Sequence, residues 1–243
     1  VSRIGLIQTR GIGDIIIAMP IAQWFVDQGH EVLWPIDSRF MSSFVLAAPC
    51  VRFLPVDHKV VGEHNLDFFL NYPKKLLEDA KCDQIHMLYS RLGNLVVTQP
   101  KWANSLKFDE YKYAVAGVPF EQKWNLKIRR NIEREAELFL RLDLKPTETY
   151  IVRHLTGSNT AIDKAKMPPT HVRVIDLEPI TDSIFDWISV LDYANELFML
   201  DSCYANLVEQ LNLTNKKHFI FRSDAKHTPV LKNNWNFYNL EKI

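Results

Sequence analysis

The sequence predicts an α/β protein of two domains, each built around a parallel sheet. Three observations lead there. Short apolar segments alternate with longer helical ones from Arg3 onward, and such alternation implies parallel strands joined by right-handed helical crossovers. The pattern blurs from Gly93 to Leu126, stops at Leu144-Lys145-Pro146-Thr147, and restarts at Tyr150. The 243 residues then divide into units of ordinary domain size at 1–143 and 144–243.

The elements follow in order. Arg3–Thr9 (RIGLIQT) has the continuous apolar character of a strand buried on both faces, Arg10–Gly13 forms a tight turn, and Asp14–Gln28 is an apolar helix stopped by Gly29. Glu31–Ile36 is a second strand, with Asp37-Ser38 placed to cap a helix over Arg39–Ala48. Val51–Val56 is a third strand, Tyr72–Ala80 a helix and Gln84–Tyr89 a fourth strand. Asn131–Leu142 (NIEREAELFLRL) is an amphipathic helix before the linker. Beyond it come strand Tyr150–Leu155, a polar loop Thr156–Pro169, strand His171–Leu177, helix Ile184–Ala194, strand Leu197–Leu200, helix Cys203–Leu211 and strand Lys217–Phe221.

Composition excludes several classes. The charge balances at 29 basic against 29 acidic residues, which argues against a nucleic-acid binder working by phosphate neutralisation. Cys50, Cys82 and Cys203 are odd in number and share no C-x-x-C spacing, so neither a disulfide framework nor a zinc knuckle is expected. Three thiols point to a reducing compartment and a cytoplasmic location. The apolar run Ile15–Ala22 is far short of a membrane span, and Asp14 with the neighbouring glycines makes a poor signal peptide. No D-x-D, G-x-S-x-G, H-E-x-x-H or P-loop motif occurs, and the eight histidines lack metal-ligand spacing. No metal is therefore expected.

The first site candidate is Arg10-Gly11-Ile12-Gly13-Asp14. Gly11-x-Gly13 after a strand suggests a dinucleotide fingerprint, with Asp37 at the end of the second strand for a ribose. Two residues oppose an NAD(P)-dependent oxidoreductase: Ile16 stands at the third glycine position, and Asp14 would repel a pyrophosphate at the helix N-terminus. Asp14 is either a simple helix cap or a general base carried into the crevice at the C-terminal ends of the strands. The run Arg10–Pro20 (RGIGDIIIAMP) resembles the N-terminal motif of the ADP-heptose:lipopolysaccharide heptosyltransferases, glycosyltransferase family 9. That resemblance implies two Rossmann-like domains with parallel sheets facing a central cleft (the GT-B arrangement). It also implies a metal-independent reaction, Asp14 as catalytic base, and Arg10, Gly11 and Gly13 in the acceptor-side loop.

The second candidate is Asp201-Ser202-Cys203-Tyr204-Ala205-Asn206-Leu207, a strand-to-helix turn that offers free backbone N–H groups to an anion. As a bare sequence, Asp201 or Ser202 reads equally as a helix N-cap. The segment resembles the family's D-[ST]-G-x-x-H-L-A element, which binds the donor diphosphate, with Cys203 in place of the glycine and Asn206 in place of the histidine. Upstream, Arg153-His154-Leu155-Thr156-Gly157-Ser158, then Lys164 and Lys166, lies where the family has a strand, a small-residue loop and a phosphate-binding lysine. Which of the two lysines corresponds is left open. Glu178 is placed to accept hydrogen bonds from a ribose or base edge. Between Val174 and Asn215 there are eight acids and no Lys, Arg or His, so any diphosphate bound there needs cations from outside, with Arg153, His154, Lys164 and Lys166 nearest.

The resemblance thus implies transfer of a sugar from a nucleotide-diphosphate donor, a co-substrate rather than a cofactor, to a glycan or lipid-linked glycan hydroxyl, with peripheral membrane contact. The alternative is a non-catalytic nucleotide- or sugar-binding protein on the same fold. The aromatics of the irregular stretches, Trp102 and Tyr111 among them, are expected to fill the core rather than stack on sugars. By the same resemblance Lys232–Tyr238 returns to the N-terminal domain.

Overall fold

The computed structural model describes residues 1–92, 95–96, 100–157, 160–222, 228–232 and 234–238. They form two compact units, Val1–Arg129 and Arg130–Ile243. No helix among the described residues is long and apolar enough to cross a membrane.

The first unit runs β1 (Arg3–Ile7), α1 (Ile12–Asp27), β2 (Glu31–Asp37), α2 (Met41–Ala47), β3 (Arg52–Val56), α3 (His58–Val61), α4 (Tyr72–Asp79) and β4 (Gln84–Met87). A short hairpin of β5 (Arg91–Leu92) and β6 (Leu95–Val96) follows, then α5 (Pro100–Ser105) and α6 (Phe108–Ala116). The main sheet has the order β3-β2-β1-β4 and every pair is parallel, with Ile4 opposite both Val32 and Gln84. The apolar run of β1 is explained by burial from Ile4 to Ile7. α1 is buried from Ile15 through Ala22 and has no polar face there, as a helix covered on all sides requires. α6 lies against it, and Tyr113 Oη donates to the Ile17 carbonyl at 2.8 Å. The helix predicted over Arg39–Ala48 begins as a 3₁₀ turn, Ser38–Phe40, whose cap is Asp37.

The second unit contains α7 (Ile132–Arg141), β7 (Tyr150–His154), β8 (Arg173–Asp176), α8 (Ile188–Tyr193), β9 (Glu196–Leu200), α9 (Cys203–Gln210), β10 (Lys216–Ile220) and β11 (Trp235–Tyr238). Its sheet, β11-β10-β9-β7-β8, is also parallel throughout. Leu155, Met167 and Ile162 from the long loop after β7 cover one face, packing on Ile151, Phe198, Leu200 and Ile220.

One expectation is corrected, and the C-terminal segment takes a place in the second sheet. The chain divides at Arg129/Arg130 instead of 143/144, because α7 is fixed to the second unit. Arg134 pairs with Asp186 at 2.7 Å and with Asp182, Arg141 donates to the Ile180 carbonyl at 2.9 Å, and the buried Glu135 accepts from Ser189 at 2.7 Å. The C-terminal segment Trp235–Tyr238 belongs to the second unit. Those residues pair with Lys217–Ile220 as the edge strand of the second sheet, and Trp235 Nε1 donates to the buried Glu209 at 2.7 Å.

Candidate functional site

In the first unit the polar residues gather at the C-terminal ends of the strands, where open parallel sheets bind ligands. Gly11 caps α1 with φ 88° and ψ 94°, a left-handed conformation that side chains disfavour. A Cβ there would stand 2.8 Å from Asp14 Oδ2, so a larger residue would displace that carboxylate. Asp14, in the first turn of α1, does not cap that helix with its side chain. Its Oδ1 meets Lys112 Nζ of α6 at 3.0 Å, with the Asp14 side chain 39% exposed and the lysine only 3%. Lys112 also donates to Gln8 Oε1 at 2.6 Å and the Leu88 carbonyl at 3.3 Å, between the rings of Tyr89 and Phe108. Gln8 Nε2 returns to the Arg10 carbonyl at 2.7 Å, and the Arg10 amide donates to Tyr89 Oη at 3.0 Å. Burial holds the Tyr89 phenol above its ordinary range.

Arg10 turns away from Asp14 toward Glu63 Oε1 at 3.0 Å, which Arg39 Nη1 shares at 2.9 Å. Arg39 also grips the fully buried Asp37 through Nε and Nη2. Burial opposes ionisation of Asp37, but the Arg39 hydrogen bonds outweigh it and keep the carboxyl below the usual range. Asp37 is therefore engaged by protein and does not present its oxygens to a ribose, which removes the main support for a dinucleotide site. Gly13 falls within the first turn of α1, beside Asp14. Lys112 escaped the sequence reading, because nothing in a polar stretch 98 positions from Asp14 marks it as that residue's partner.

In the second unit β7 lies between β8 and β9, so the loop after β7 sits between Asp176 and Asp201-Ser202. Thr156 bridges to Ala161, and the Gly157 amide donates to the Thr160 carbonyl at 2.7 Å. Ser158 lies outside the described residues. Lys164 Nζ and Arg153 Nε both meet Asp176, at 2.7 and 3.0 Å. Burial raises the Asp176 carboxyl, yet the bonds from Lys164 and Arg153 outweigh it and hold the group below its ordinary value. Lys166, in the 3₁₀ turn of the long loop after β7, and Glu178, two residues after β8, are both exposed.

Asp201 is buried directly after β9, its amide bonded to the Ile220 carbonyl at 3.0 Å. Ser202 is the N-cap of α9 but makes no capping bond. Its Oγ faces His154 Nδ1 at 2.8 Å. Asn206 is buried and its Nδ2 donates back to the Ser202 carbonyl at 3.1 Å, so it braces the turn. Burial pushes the Cys203 thiol up to about 11, which keeps it protonated and unreactive at neutral pH. His154 is not among the cations expected near a diphosphate: burial pushes it down to about 4, and the ring is neutral at pH 7.

No protein-family model matches the sequence, and no curated protein sequence matches it. Solved structures do match. A glycosyl transferase family 9 protein from Veillonella parvula DSM 2008 has TM-score 0.64 at 13% identity, over 98% of this chain and 86% of that one. The E. coli heptosyltransferase WaaC, solved with ADP, has TM-score 0.57 at 12% identity, over 97% and 92%. The iron-containing dodecameric glycosyltransferase TibC from enterotoxigenic E. coli H10407 has TM-score 0.57 at 11% identity, over 98% of this chain but 62% of its own length. The likeness runs through both units, and the chain has the two-unit, parallel-sheet fold of the family 9 glycosyltransferases.

Proposed function

We propose that the protein is a glycosyltransferase that moves a sugar from a nucleotide-diphosphate donor to a hydroxyl of a glycan or lipid-linked glycan, without a metal ion. The observation that carries this reading is Asp14. It is a partly exposed carboxylate at the C-terminal end of β1, held on one oxygen by a buried lysine and approached on the other by Gly11. A group so placed on this fold suits a general base.

In the reaction, Asp14 takes the proton of the acceptor hydroxyl as that oxygen bonds to the anomeric carbon. The bond from that carbon to the donor phosphate oxygen breaks, and the nucleotide diphosphate leaves with the electron pair. The diphosphate belongs at the start of α9, beside Ser202 and the Thr156-Gly157 loop, with Lys164, Arg153 and Lys166 supplying positive charge. Lys164 and Arg153 share one carboxylate, so the pair keeps a net positive charge. Glu178 is assigned to the ribose or base. Metal independence rests on those cations and on the missing D-x-D motif. A cytoplasmic location, with peripheral membrane contact through a lipid-linked acceptor, suits the three free thiols.

The test is transfer or hydrolysis of ADP-, UDP-, GDP- and CMP-sugars by the purified protein, with and without a chelator. Turnover is expected to survive the chelator and to fall at least a hundredfold in Asp14→Asn. Unchanged turnover in Asp14→Asn refutes the assignment. The inward-turned Asn206 favours the second reading, donor binding without turnover, which predicts thermal stabilisation by nucleotides and no product.

A further inference from the structure

An N-cap serine ordinarily accepts an amide proton from the first turn of its helix. Ser202 does not. Its backbone is extended, at φ −158° and ψ −178°. Asn206 secures its carbonyl twice, through N at 3.2 Å and Nδ2 at 3.1 Å. Among the described residues the hydroxyl meets His154 Nδ1, at 2.8 Å.

His154 is the last residue of β7, only 8% exposed, with its ring 4.7 Å from that of Tyr204 on α9. It is held by the sheet on one side and by the helix on the other, so it is a fixed partner. A neutral imidazole can meet a hydroxyl in two ways. It can accept the hydroxyl proton, which leaves Ser202 Oγ with only lone pairs to offer a ligand. It can instead donate from Nδ1, which leaves the hydroxyl proton free for an outside acceptor. A diphosphate presents acceptor oxygens only, so the second arrangement alone suits it.

We propose that His154 is a positioning residue for the nucleotide-diphosphate donor: its Nδ1–H donates to Ser202 Oγ and turns the hydroxyl proton toward a diphosphate oxygen at the start of α9. This rests on the donor reading of the second unit. It adds the residue that sets the polarity of that contact, and it explains why a buried histidine ends β7. The ring acts through Ser202 and does not itself touch the donor.

The test is calorimetric titration of ADP, UDP and GDP into wild type, Ser202→Ala, His154→Leu, the double variant and His154→Asn. Nitrogen-15 NMR of the wild-type ring reads its tautomer directly. The expected result is a loss of roughly tenfold in affinity for each of Ser202→Ala and His154→Leu. The double variant should bind no more weakly than Ser202→Ala. His154→Asn, which keeps a donor, should recover most of the affinity, and the wild-type ring should carry its proton on Nδ1. Wild-type affinity in His154→Leu, additive losses in the double variant, or a proton on Nε2 overturns the proposal while leaving the donor site intact. A wild type that binds none of the three nucleotides overturns both. The tautomer measurement needs no variant and therefore holds even where a substitution impairs folding.

Discussion

Replacing Gly11 with alanine isolates the geometry on which the catalytic assignment rests. The new methyl carbon meets two costs. Its backbone sits at φ 88°, where an L-residue loses roughly 1–2 kcal/mol. The Cβ falls 2.8 Å from Asp14 Oδ2 and 3.4 Å from Asp14 Cβ, and the carboxylate must swing away. That movement disturbs the 3.0 Å contact of Oδ1 with Lys112. With Asp14 partly solvated, the pair adds at most about 1 kcal/mol. The sum, ~2–3 kcal/mol, leaves a protein of ordinary stability folded. A base displaced by about 1 Å, however, loses roughly a hundredfold in rate. Gly29→Ala is the control: its φ is 83°, but nothing lies within 4 Å of the added carbon. It pays the backbone cost and should keep its activity. The assays are urea unfolding and sugar transfer on both variants. If Gly11→Ala and Gly29→Ala lose the same activity, the loop is not shaped around Asp14 and the reasoning fails.

Two further predictions concern buried polar groups. Lys112→Met removes the partner of the buried Gln8 Oε1, and should cost ~2 kcal/mol in urea unfolding while lowering kcat more than it raises KM; an unchanged kcat would show that the lysine only packs. Acid should destabilise the protein through His154, whose pKa falls from 6.5 to about 4 on folding. The unfolded chain protonates first, so this stability is present above pH 6.5 and is lost as pH falls toward 4. Between pH 7 and pH 5 the loss from this residue is about 2 kcal/mol, and His154→Asn should show a correspondingly smaller drop in unfolding free energy. Equal drops in the two proteins would refute it.

Apart from β11, the strands of both sheets were legible because they are short, mainly apolar runs closed by glycine or polar residues, and because sheets covered on both faces leave little polar alternation to confuse the pattern. α6 was not. Its inward face carries Asp109, Lys112 and two tyrosines, all buried, so no apolar stripe at helical spacing announces it. Its termini did carry signals: Glu110 Oε2 accepts from the Lys107 amide at 2.9 Å, and Gly117 closes the helix at φ 68°. The linker at Leu144–Thr147 was a true turn but not the boundary. Helix amphipathicity reveals that α7 has a buried face, whereas only the bonds of Arg134 and Arg141 show which unit buries it. β11 hid for the opposite reason to α6: it is an edge strand with Phe237 largely exposed, set in a run of asparagines that reads as loop.

The acid-only segment from Val174 to Asn215 shows how a charge pattern becomes a site. Among the described residues, Asp176, Asp182, Asp186 and Glu196 are joined to cations from outside the segment. Arg134 serves both Asp182 and Asp186. Glu196 is met by Lys216 and by His218, whose pKa burial lowers, so that group is balanced at neutral pH. Asp176 receives two full cations, Arg153 and Lys164. Of these pairings, that is the one at the C-terminal ends of β7 and β8, the edge where a parallel sheet receives its ligand. Arg153 and Lys164 together thus carry one positive charge more than Asp176 balances. The bonds to Asp176 orient Lys164 and Arg153, and on the proposed donor reading a diphosphate at the start of α9 would meet the one charge of that pair that Asp176 does not balance, in addition to the helix terminus.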